Sequence, residues 1–128
     1  MILVDASVLI DYLRNGDAVL LATMQANGAA LCGVTRTEIL HGARGPKHRQ
    51  KLVQLLNTFP LVSMPDAAWD MVGDNLAVLR AYGLTVQFPD AVVATIAILL
   101  DVEAWARDQH FPLIQRALPA LKLFQEPP

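Results

Sequence analysis

What the chain lacks narrows it first. Its 128 residues contain one cysteine, Cys32, so no intramolecular disulfide forms and no thiolate zinc cluster can be built; a reducing, cytoplasmic setting suits it. There is no long apolar run. The longest nearly uninterrupted one, AVVATIAILL at 91–100, is half of the roughly 20 residues a bilayer span needs. The opening residues have no charged n-region, and Asp5 and Asp11 interrupt their apolar pattern, so they do not read as a secretory leader. No internal repeat, low-complexity tract or linker divides the sequence, and its length suits a single domain over 1–128 with a sizeable core. Acidic residues are missing altogether from Ile39 to Pro65, although the net charge is −2.

That acid-free span carries Arg44, Lys47, Arg49 and Lys51, with His41 and His48 among them. A solvated helix face is the plain explanation of such a run. A positive zone beside clustered acids also suits a metal-dependent phosphodiesterase, in which acids bind metal and bases hold the polyanion. Hydrophobic residues make up 54% of the chain, which points to a sheet buried on both faces or a large partner-binding surface.

Short apolar runs alternate with helical patterns. ILV (2–4), AALC (29–32), PLVSMP (60–65), VEAWA (102–106) and LKLF (121–124) read as strands. Helices are expected from Ser7 to Arg14, from an Asp17 N-cap to about Gln25, over VTRTEILH, over KHRQKLVQLLNTF, from an Asp66 cap to Gly83, and from Asp90 through the nearly all-apolar AVVATIAILL. This alternation predicts an α/β fold with a mostly parallel sheet, whose ligands gather at the carboxyl ends of the strands. Asp5 follows the first strand and Asp108 the fourth, so both fall on that edge.

Each acid has an ordinary explanation. Asp5 and Asp90 have N-cap chemistry, Asp108 lies in ARDQHF, which reads as a surface turn, and Glu38 shares a helix face with apolar Val34. Their predicted convergence is what singles them out. Carboxylates brought together repel and gain protons unless divalent cations neutralise them, and Mg²⁺ or Mn²⁺ suits an all-oxygen set that retains waters and accepts a substrate phosphate. Trp69 and Trp105 have core-type spacing, His110 reads as structural, and Asp11 is expected to face solvent or pair with a base such as Arg14.

The stretches ILVDASVLIDYL, TRTEIL, FPDAVVATIA and WARDQHF, in this order, resemble the motifs of the PIN domain, and more narrowly those of VapC-type ribonuclease toxins of toxin–antitoxin modules. The resemblance runs from residue 2 to about 124. It implies a three-layer α/β/α fold with about five mostly parallel strands, a Mg²⁺-dependent endoribonuclease (Mn²⁺ a possible substitute), a small VapB-like antitoxin partner and a homodimer. Its acidic quartet falls on Asp5, Glu38, Asp90 and Asp108, as catalytic and metal-binding residues. Ser7 falls at a hydroxyl position often found beside the first acid. Arg36, Arg44, Lys47 and Arg107 are candidates for phosphate contact with RNA.

The chain also departs from the pattern. Ala106 stands where many relatives have Ser or Thr, His110 where some have another acid, and LLDVEAW lacks the usual glycine of the helix-to-strand turn. These departures keep open a catalytically weak module that binds RNA or an antitoxin. A phosphatase or receiver-like domain with Asp5 as phosphoryl acceptor is a third reading, but position 7 is Ser rather than Asp, and Lys122 is a poor match to a late strand-end lysine.

Overall fold

The computed structural model describes residues 1–127. In chain order the elements are β1 (Ile2–Val4), α1 (Ala6–Asn15), α2 (Ala18–Ala26), β2 (Ala29–Cys32), α3 (Gly33–His41), α4 (Pro46–Leu56), β3 (Leu61–Val62), α5 (Asp66–Ala81), α6 (Phe88–Leu100), β4 (Glu103–Trp105), α7 (His110–Ala117) and β5 (Lys122–Leu123). The strands form one sheet in the order β3-β2-β1-β4-β5. Each neighbouring pair is parallel, with Leu3 opposite Ala30 and Ala104, and Val4 opposite Trp105. The sheet is thus parallel throughout, and helices cover both faces.

Strand periodicity sorts the core into two layers, because successive side chains point to opposite faces. Leu3, Cys32 and Ala104 pack with α5, α6 and α7 residues such as Val72, Ile96 and Ile114. Their strand neighbours Ile2, Val4, Leu31 and Trp105 pack with α1, α2 and α4 residues such as Leu9, Met24 and Leu56. Residues 90–97 of α6 are all buried, which explains a helix apolar on every side.

Several local expectations change. Asp66 is the first residue of α5, and Pro65 holds its N-cap position. Asp90 does not cap α6 either: the helix begins at Phe88 behind Gln87, which puts Asp90 inside its first turn. The residues after Asp108 form an additional helix, α7, which buries Phe111, Ile114 and Ala117. Of the two tryptophans, Trp105 is 1% exposed, its ring 4.7 Å from that of Phe124. Trp69 is 50% exposed and lies parallel to the equally exposed Phe88, with ring centroids 6.3 Å apart, so it is not core.

The missing glycine of LLDVEAW is explained by Asp101. It ends α6 in the left-handed region (φ 55°, ψ 46°), and its backbone N–H reaches back to the Ile98 carbonyl. Asp tolerates this conformation better than most side chains do, while β-branched residues resist it. Asp101→Val is therefore expected to lower stability by about 1–2 kcal/mol, whereas Asp101→Gly holds or raises it, the lost exposed contact to Lys122 counting for little. Urea midpoints of the two variants check this; an unchanged Asp101→Val midpoint contradicts it.

Candidate metal centre

Asp5 continues β1 into α1. Its backbone N–H donates to the Trp105 carbonyl (2.8 Å), and its carboxylate Oδ2 accepts from the Ser7 N–H (3.0 Å), so it does cap α1. The cap uses one oxygen only. Oδ1 is buried and has no hydrogen-bond partner among the described residues, and the residue is 3% exposed. A cap needs no such orphan. Glu38, half-buried on α3, leaves Oε1 in the same condition. Asp90 enters from α6 and is buried, and Asp108 arrives from the turn after β4.

These side chains lie within one another's electrostatic reach. Burial pushes the Asp5 carboxyl above its usual range, against the pull of the Ser7 hydrogen bonds, and Asp108 adds to the rise. Burial raises Glu38 too, and the Asp5 charge contributes. Asp90 is pushed up to about 7, first by burial and then by Asp5, Asp108 and Glu38, with His110 opposing. Carboxylates shift one another this way only at close range. The structure thus brings the four sequence-derived acids to one edge of the sheet.

Asp90, Asp108 and His110 can each offer a ligand atom, all within 4.8 Å of one another. His110 is no buried structural residue. It opens α7, is half-exposed, and its Nδ1 lies 2.8 Å from Asp108 Oδ1, which also accepts the His110 backbone N–H. Orphaned buried oxygens and unneutralised carboxylates cost free energy that a divalent cation offsets. The donor set, mainly carboxylate oxygen with one imidazole, fits Mg²⁺ or Mn²⁺.

Ser7 uses its hydroxyl as an acceptor for the Arg107 backbone N–H (2.9 Å). The candidate cations separate. Arg44 lines a cavity of about 600 Å³ together with Glu38, Arg14, His48, Ile10 and Leu13. Arg36 donates to Asn57 Oδ1 (3.0 Å), and Lys47 is exposed at the start of α4. Arg107 is held by Glu126 and by Asp11, which therefore pairs with Arg107 and not with Arg14. The sequence reading missed this pairing because the partners lie 96 and 19 residues away. A signal for α7 did exist in the spacing of Phe111, Ile114 and Ala117, masked by Pro112, which a first helical turn tolerates.

A family model for the PIN domain matches residues 2–117. The chain belongs to the PIN-domain family. No curated protein matches it in sequence. Solved structures share the PIN fold closely at low identity. The chain is similar to the crystal structure of VapBC2 from Rickettsia felis bound to a promoter DNA fragment (TM-score 0.84, 14% identity, covering 99% of this chain and 100% of that one). VapBC-1 from nontypeable Haemophilus influenzae gives 0.79 at 15%, covering 98% of each chain. A toxin–antitoxin complex from Klebsiella pneumoniae gives 0.69 at 22%, covering 94% and 95%. At these identities the likeness is one of fold.

The raised carboxyls of this PIN domain give a signed prediction. A carboxyl whose folded-state pKa is raised holds a proton that the unfolded chain has already released, so its stabilising effect is full below about pH 4 and is lost as pH rises through about 7 for Asp90. In EDTA, wild type is expected to lose melting temperature between pH 5 and pH 8 relative to Asp90→Asn. Saturating Mg²⁺ or Mn²⁺ should restore it at pH 8 and do little at pH 5, where protons compete. Thermal melts of the two proteins across pH decide this; a metal-free difference of opposite slope contradicts it.

Proposed function

We propose that this PIN domain is the toxin of a type II toxin–antitoxin module, a Mg²⁺- or Mn²⁺-dependent endoribonuclease that hydrolyses RNA phosphodiester bonds. The observation that carries the reading is the pair of buried, unpartnered carboxylate oxygens on Asp5 and Glu38, converging with Asp90 and Asp108. Asp5, Asp90 and Asp108 would hold the ion, with Glu38 binding it or orienting the attacking water. When bound, the ion supplies a more acidic water and charge stabilisation for an in-line displacement. The protein's part is to hold the acids in place, keep bulk water from Asp5, and line the approach with Arg44, Arg36 and Lys47 for substrate phosphates. The phosphoryl-acceptor reading loses support, because Ser7 stands where its second acid is needed and spends its hydroxyl on Arg107.

Two surfaces fit the expected partners. The cavity of about 600 Å³ between α1, α3 and α4 combines apolar Ile10, Leu13, Ile39 and Leu52 with Arg14, Arg44 and His48, and Glu38 sits in its wall. It suits an amphipathic antitoxin helix whose basic side chain reaches the acids. A second groove, about 390 Å³, is lined by Val34, Leu61, Val62, Met64, Trp69 and Val92. No Lys or Arg lines it, and exposed Asp66 and Asp70 flank Trp69, so it does not suit RNA and is assigned to a second copy of the chain.

Asp5→Asn tests the catalytic reading, since Asn caps α1 as well as Asp does but lacks the charge. The variant is expected to fold and to lose at least about a hundredfold in RNA cleavage, along with growth inhibition. Cleavage at the wild-type rate by the purified, folded variant would remove the metal assignment. For the dimer, sedimentation should give a wild-type dimer and a monomeric Trp69→Asp; a wild-type monomer at high micromolar concentration contradicts the assignment.

A further inference from the structure

Asp108 sits on a turn whose own contacts do not fix its direction. Its hydrogen bond from the His110 N–H and the Asp108 carbonyl's bond from the Phe111 N–H lie within the turn and move with it. The far end is pinned by Phe111, which is 1% exposed in the core. At the near end, beyond the buried Trp105 and the core-packed Ala106, the turn is held from outside by Arg107. Its backbone N–H donates to Ser7 Oγ (2.9 Å), while the Ser7 N–H donates to Asp5 Oδ2 (3.0 Å), so Ser7 ties together the turns that carry two of the acids.

The Arg107 side chain completes the anchor. Nε donates to Glu126 Oε2 (3.1 Å), Nη2 to Glu126 Oε1 (2.6 Å) and Nη1 to Asp11 Oδ2 (3.2 Å). Isolated exposed pairs contribute little, and these side chains are about a third exposed. A two-pronged guanidinium–carboxylate contact nevertheless fixes direction as well as distance, and this one joins α1, the turn after β4 and the C-terminal segment. That segment is itself fastened, since the Phe124 N–H donates to the Ala104 carbonyl (2.9 Å) and its ring packs on Trp105. One cation between two carboxylates leaves the group net negative, which disfavours a phosphate there.

We propose that Arg107 is a positioning residue that aims Asp108 into the metal centre, with Asp11 and Glu126 as its supports, and that it does not contact RNA. This rests on the metal-dependent nuclease reading. Supports one layer out from a metal ligand typically change affinity by 10- to 100-fold when removed.

The test is Mn²⁺ binding to metal-free protein, followed by the electron paramagnetic resonance of free Mn²⁺, for wild type, Arg107→Ala and Glu126→Gln. RNA binding in EDTA and melting temperature are measured alongside. Both variants are expected to fold and to bind Mn²⁺ about tenfold more weakly, with metal-free RNA binding unchanged and cleavage recovered at raised Mn²⁺. Glu126→Gln is the deciding variant, because it removes the charged two-pronged contact and leaves the guanidinium held chiefly by Asp11: a phosphate-contact Arg107 would then bind RNA more tightly with Mn²⁺ affinity unchanged, which overturns the proposal. Wild-type Mn²⁺ affinity in both variants overturns it too, while leaving the nuclease reading intact. A wild-type protein that binds no Mn²⁺ removes both.

Discussion

Holding four carboxylates at one edge of a sheet is the constraint on which the rest of this molecule depends. Three are individually tolerable: Asp5 has the Ser7 N–H, Asp90 lies in the first turn of α6 where the helix end favours negative charge, and Asp108 has His110. Together they are not, because every added charge raises the cost of ionising the others. Asp90 shows the sum most clearly, held near neutral pH by its burial and by three neighbouring acids. Polypeptide donors satisfy the acids only in part, and the two orphaned oxygens are what a bound cation would satisfy.

The architecture follows from this demand. A parallel sheet places all strand ends of one polarity along one edge, so residues far apart in sequence converge without long side chains. The strands need only be long enough to define that edge, and they run from two to four residues. Helix α6 has to cross the sheet to deliver Asp90, which is why residues 90–97 are buried on all sides. The same burial that makes the core raises the acids' pKa values, so the proposed metal affinity would draw on the arrangement that also stabilises the fold.

Much of this was legible in the sequence, and the reason is local. Strands such as AALC and VEAWA announce themselves by short apolar runs, Asp17 by its position before a helix, and two of the four acids, Asp5 and Asp108, by their placement after strands. What escaped depended on geometry rather than pattern. Asp90 looks like an N-cap because Pro89 precedes it, yet α6 begins before that proline. Trp69 has core spacing on α5, but its face of the helix looks outward beside Phe88. The partners of Arg107 lie in α1 and in the C-terminal segment, a pairing no periodicity encodes.

The location of positive charge gives these separate features one logic. Arg107 precedes Asp108 directly, and a guanidinium swung into the quartet would neutralise it from within and compete with any metal. Asp11 and Glu126 draw it outward instead. The other bases near the site, Arg14, Arg44 and His48, line a cavity to which Glu38 also contributes, and to which Asp5, Asp90 and Asp108 do not. Among the described residues the centre therefore receives only acidic side chains and His110, while cations stand along the approach. Such a division would leave the acids available to a metal ion, or to a basic side chain brought by a partner, and would make those two occupants mutually exclusive.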